Sequence, residues 1–243
     1  MFGKKEIRHL IAGILILSFV FGFNDNRESF NLAYWLLNFF IVVIVVAISL
    51  LLREVVRKFF AHRKGCKTEY SLWFIKQLSF RPAGRLRTGF PFMTVLALFL
   101  TFISNGKIFL TSIDENNVEA VRKYRVGRKF TRLTEYDEAL ILLSGILTSA
   151  FLVLFFSGFG RLINLNLSMF VTVNFWITLF ALIPLPPLDG GKILFASRPL
   201  YIFSLAFVIA LFLMKDLNLI LSLLFSFIIA FILMVIYYRS AEY

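Results

Sequence analysis

Arg53-Glu54-Val55-Val56-Arg57 and Leu188-Asp189-Gly190 are the two stretches of this 243-residue chain whose residue types and spacing bear on chemistry. Side chains at i and i+4 share one face of a helix. When both are histidine, with glutamate after the first, they hold zinc as neutral imidazoles and the glutamate takes a proton from the bound water. Here Arg53 and Arg57 stand at the two ligand positions and Glu54 at the base position. A guanidinium keeps its proton at any accessible pH and has no lone pair to give a metal. A zinc site on this helix is therefore excluded at two of its three positions, and Asp189 is left as a ligand-type residue without its partners. An aspartate at the membrane is costly unless paired. One expectation is that Arg53 or Arg57 forms a bidentate pair with Asp189 while Glu54 joins the other arginine or Lys58 at i+4. In the competing reading both arginines snorkel into the interface, as Lys58, Arg63 and Lys64 do.

The elements that must position these residues are membrane helices. The chain is 59% hydrophobic and 16% charged, with a mean hydropathy of +0.83, outside the range of soluble domains. Uncharged runs at 33–52, 139–160, 162–188 and 217–238 have the roughly 20 residues that a helix needs to cross hydrocarbon. Shorter runs at 10–24 and 199–214, bounded by charge, complete six expected spans. No small-x-small cleavage site follows Phe23, so the first run reads as an anchor and not a removed signal. The net charge of +12 suggests nucleic acid, but ten Lys/Arg against two acids between Arg53 and Arg87 fit a cytoplasmic loop better. A short external turn is expected near residue 28, with both termini in the cytoplasm. The expected partner is the lipid bilayer, with no nucleic acid.

The uncharged segment 88–106 decides the topology. If it crosses, Asp189 and Glu54 end on opposite faces; if it is re-entrant or interfacial, Asp189 returns to the side of Arg53, and this second arrangement is adopted. Residues 107–138 form a polar insertion with seven bases and six acids, in which 107–113 and 118–126 alternate as strands of a small cytoplasmic β-hairpin would. The fold expected is thus an all-α polytopic membrane protein, read as a single domain over 1–243. Cys66, the single cysteine, reads as a small interfacial residue, and His9 and His62 are off the Arg53/Arg57 stripe.

These residues resemble the site-2 protease family of intramembrane zinc metalloproteases, in particular its archaeal-type members. The resemblance runs from about Ala33 to Lys192. Arg53 to Phe59 with Gly65 to Tyr70 is similar to the family's metal helix and the segment after it. Ser144-Gly145 sits where the family often has Ala-Gly-Pro, and Asn174-Phe175-Trp176 leading to Pro184-Leu185-Pro186-Pro187-Leu188-Asp189-Gly190 is similar to its second metal motif. The resemblance implies that Asp189 matches the third zinc ligand and Glu54 the general base, and that Asn174, Pro184, Pro187, Leu188 and Gly190 border a substrate groove; the competing reading of Asn174, inside an apolar helix, is an interhelical hydrogen bond. Arg53 and Arg57 depart from it at both histidines.

The expectation drawn is a pseudoprotease of site-2-protease-like core. It needs no cofactor, although the family uses zinc, and it binds or sequesters a transmembrane helix of a partner in the groove between the 33–52 and 162–188 helices. Two alternatives are carried beside it: an active endopeptidase with unusual metal ligands, and a non-proteolytic transport or assembly subunit.

Overall fold

The computed structural model describes residues 2–25, 27, 30–77, 85–121, 133–215 and 217–241, with no side-chain description for 76–77, 85–88 and 241. The turn expected near residue 28, residues 78–84 of the basic segment and the 122–126 part of the second expected strand lie outside the described residues. The chain is mostly helical: α1 (Lys4–Gly22), α2 (Leu32–Arg63), α3 (Phe92–Ile103), α4 (Glu135–Leu162), α5 (Ser168–Ala181), α6 (Asp189–Ala196), α7 (Arg198–Leu213) and α8 (Leu219–Ala241). Strands β1 (Cys66–Leu72), β2 (Ile75–Gln77), β3 (Arg85–Phe90) and β4 (Asp114–Ala120) form two two-stranded sheets, β1 with β4 and β2 with β3. Among the described residues α2, α4 and α8 are long and apolar enough to cross a membrane; α3, α5 and α7 are shorter apolar helices.

The chain divides into two compact units. The first comprises Met1–Ala47 with Glu69–Glu115 and the second Ile48–Thr68 with Asn116–Tyr243. In the first unit α1 packs on α3, and Phe102 meets the rings of Phe19 and Phe23 at 5.6 and 5.2 Å between centroids. Glu6, buried in the first turn of α1, accepts hydrogen bonds from the backbone N–H of Gly3 at 3.1 Å and of Tyr70 at 3.2 Å. In the second unit α4 is the centre, with Leu142, Ile146, Val153 and Leu154 packed among Leu182, Ile193, Val208 and Leu211. Thr134 caps α4, accepting from the Asp137 N–H, and Glu135, Asp137 and Glu138 sit in its first turn, where the helix dipole favours acids.

Three sequence expectations are corrected. The chain is mostly helical as expected, but it carries a strand outside the polar insertion: the alternation Cys66-Lys67-Thr68-Glu69-Tyr70-Ser71-Leu72 is a strand that buries every second residue. Its partner β4 lies at Asp114–Ala120, whereas 107–113 is irregular, so the expected hairpin within 107–138 is replaced by pairing with β1. Val121 N–H donates to Gly65 O at one end and Trp73 N–H to Ile113 O at the other, an antiparallel register. The 162–188 run is not one helix. Leu162 ends α4, Asn164 takes φ +53°, and the helix begun at Ser168 stops at Ala181 before Pro184, Pro186 and Pro187, which lack the N–H that would continue it.

Candidate functional site

α2 has 32 residues and carries its apolar run past residue 52 into the charged stretch without interruption. Arg53 stands about 32 Å from its start at 1.5 Å per residue, close to one hydrocarbon thickness. Despite their charge, Arg53, Glu54 and Arg57 are 2%, 0% and 0% exposed. The reading in which both arginines snorkel outward is thereby excluded, because a buried guanidinium must find its counter-charge inside the protein.

That counter-charge comes from α6. Leu188 is the extended residue before the helix and Asp189 its first residue, 4% exposed. Arg53 Nη2 donates to Asp189 Oδ2 at 3.0 Å and Arg57 Nη2 donates to the same oxygen at 2.7 Å. Arg57 Nη1 donates to Glu54 Oε1 at 2.5 Å, one turn back on the same helix. The arrangement differs from the expected bidentate pair, since both guanidiniums converge on one carboxylate oxygen and Arg57 bridges two carboxylates. Lys58 turns away and donates to Thr68 O at 2.7 Å. Two cations and two anions make the quartet formally neutral.

Two residues close the cluster that sequence reasoning did not single out. Asn116 of β4, 1% exposed, donates through Nδ2 to Asp189 Oδ1 at 3.2 Å and Oδ2 at 3.4 Å. Lys192 donates to Asn116 O at 2.5 Å and pairs with Glu138 at 3.3 Å. Lys192 was findable, because it sits at i+3 from Asp189 on any helix that starts there. Nothing in the local sequence marks Asn116, whose place follows from the β1–β4 pairing.

The glycines around the cluster are fixed by close approach. A Cβ on Gly190 would stand 2.5 Å from the carbonyl of Leu182, and one on Gly191 would stand 2.6 Å from Leu185 O, so the first turn of α6 rests on backbone. Gly190 is thus buried against the chain itself. Of the other expected groove residues, Leu188 is buried, Pro187 half-buried and Pro184 exposed. A Cβ on Gly145 would come within 2.6 to 2.9 Å of the Arg57 guanidinium. That guanidinium is held by Glu54 and Asp189 and cannot swing aside cheaply. Gly145→Ala is therefore expected to cost about 1–3 kcal/mol, the usual range for overpacking. Gly158→Ala, in the same helix with nothing within 4 Å, is expected to leave stability unchanged or slightly raised. Thermal unfolding of the two variants in detergent checks the difference.

Asn174, fully buried on α5, joins α2 through Nδ2 to Ser49 Oγ at 2.8 Å and its own helix through Phe170 O at 2.9 Å. Its Oδ1 has no hydrogen-bond partner among the described residues. The other candidate ligands lie elsewhere: His62 is exposed in the last turn of α2, and His9 sits edge-on to Phe74 in the first unit. Cys66 is buried, and burial followed by the charge of Asp137 pushes its thiol above the usual range.

The donor set does not suit zinc. The one carboxylate that faces the two i, i+4 positions already accepts from two guanidiniums and an amide, and the groups at those positions have no lone pair. Among the described residues no group of three or more His, Cys, Asp or Glu is placed to hold a metal. Compared with protein-family models, curated proteins and solved structures, the chain finds no match.

Proposed function

We propose that this chain is a site-2-protease-like membrane protein that has exchanged its metal for an arginine–aspartate lock and no longer cleaves. In this reading it crosses the bilayer six times with both termini in the cytoplasm, and binds or sequesters a helix of a membrane partner. The observation that carries it is the convergence of Arg53 and Arg57 on Asp189 Oδ2. The motif spacing brings two side chains from α2 to one point on α6, as a metal site would require, and fills that point with guanidinium instead. Glu54 is committed to Arg57, so it is not poised as a general base.

Helix binding is carried over from the resemblance to the family; Asn174, fully buried, ties α5 to α2 through Ser49 and is closed to a guest. The neutral, mutually hydrogen-bonded quartet gives no support to a polar transport path along the arginines. The test is reconstitution in vesicles with a single-pass reporter helix and added zinc, reading cleavage by mass spectrometry and association by energy transfer. The expected result is an intact reporter that associates with the chain. A cleaved reporter would show that the chain is a protease after all.

A further inference from the structure

A second, separate feature lies where α6 ends, α7 begins and α8 finishes. Phe195, Ala196, Ser197, Arg198, Pro199, Tyr237 and Tyr238 line a pocket of about 480 Å³. α7 and α8 pack along each other, and the first residues of α7 share this pocket with the last turns of α8, so the two helices run antiparallel. α8 is apolar, with only 17% of its most hydrophobic window covered by protein, as for a lipid-facing helix. A pocket at the end of such a helix lies at headgroup level, where tyrosines gather.

The polar groups in the pocket are not used by the fold. Arg198 is exposed and makes no hydrogen bond or ion pair with the described residues, and the phenols of Tyr237 and Tyr238 have no hydrogen-bond partner there. Among the seven lining residues there is no carboxylate to neutralise Arg198. The helix end itself contributes little to anion binding. Ser197 Oγ already accepts the Leu200 N–H, and Pro199 has no N–H to offer. The attraction for an anion therefore rests on the guanidinium, with two phenol donors beside it and the Phe195 and tyrosine rings as an apolar wall.

We propose that this pocket binds the phosphate of an anionic phospholipid, with Arg198 making a two-pronged contact to its non-bridging oxygens and Tyr237 and Tyr238 donating to the headgroup. A guanidinium fits a phosphate through paired N–H groups, and juxtamembrane arginines are drawn to anionic leaflets. The rings account for a lipid over a free anion, since acyl chains beside α8 continue from the pocket. The inference requires only that α8 lie in the membrane, and it stands independently of the arginine–aspartate site.

The test uses the full chain in neutral detergent, titrated with short-chain phosphatidylglycerol, short-chain phosphatidylcholine and inorganic phosphate, read as the shift in thermal unfolding. A saturable stabilisation by phosphatidylglycerol is expected, with little from phosphatidylcholine or from phosphate at equal concentration. Arg198→Ala should weaken the apparent affinity about tenfold, as loss of a charge-assisted contact does. Its lipid-free unfolding should be unchanged, because Arg198 holds nothing in the fold. Arg63→Ala, a cation outside the pocket, should leave the affinity as it was. Equal stabilisation by phosphatidylcholine, or an affinity indifferent to Arg198→Ala, would overturn the site; equal stabilisation by inorganic phosphate would overturn its assignment to lipid.

Discussion

Asp189→Leu is expected to cost about 3–5 kcal/mol of stability, the range for removing one partner of a buried ion pair. The loss exceeds that of one hydrogen bond because two guanidiniums that are 2% and 0% exposed both lose the carboxylate oxygen they share. Charge bookkeeping then specifies the rescue. Asp189→Leu with Arg53→Met leaves Arg57 and Glu54, a neutral pair already joined at 2.5 Å, and should recover more than half of the loss. Pairing Asp189→Leu with Arg57→Met also restores neutrality, but it keeps Arg53 and discards the residue that bridges the carboxylates, so its recovery should be smaller. Equilibrium unfolding of the single and double variants gives the coupling energies directly. Additive costs, with no recovery in either double variant, would contradict the lock.

Arg57→Met should cost more than Arg53→Met. Arg57 is the hub: it reaches Glu54 at 2.5 Å and Asp189 at 2.7 Å, whereas Arg53 contacts Asp189 at 3.0 Å. Removing Arg57 takes a counter-charge from two buried carboxylates at once and is expected to cost about 3–5 kcal/mol. Removing Arg53 leaves Asp189 with Arg57 and Asn116 and should cost about 1–3 kcal/mol. Arg57→Lys is not expected to restore the difference, because a single ammonium cannot span two carboxylates as a planar fork does. Thermal midpoints of the three variants, measured in one detergent, rank them; equal costs for Arg53 and Arg57 would remove the hub.

How much of this was readable in the sequence depends on the residue. The long apolar runs gave α2, α4 and α8, and the i, i+4 spacing of Arg53 and Arg57 placed both on the face that meets Asp189. The reading failed where a uniform apolar run hides a break. Residues 162–188 carry no charge, yet Asn164 and the three prolines divide them, and counting hydrophobic length overrode those signals. The strand at Cys66–Leu72 lies inside the basic 53–87 segment, whose charge reads as a cytoplasmic loop, although its own period-two alternation is legible. Asn116 was beyond reach, since its role depends on a pairing between segments far apart in the chain.

The short helix α6 shows why the site takes this form. Asp189-Gly190-Gly191 must press its first turn onto the backbone of Leu182 and Leu185, and this fixes the carboxylate at the point to which α2 delivers its side chains. The geometry is that of a two-helix junction with its charges facing inward. Arginine fills that point with charge-assisted contacts to both carboxylates, Asp189 through Oδ2 and Glu54 through Oε1.

The measurement that tests this account most directly is the zinc content of the purified chain after chelator washing and zinc reconstitution. Asp189→Ala and the double variant Arg53→His with Arg57→His are measured beside it. The account predicts no specific zinc in the natural chain, and about one per chain in the double variant, where two imidazoles and a carboxylate face one point. About one zinc per natural chain, lost in Asp189→Ala, would contradict it.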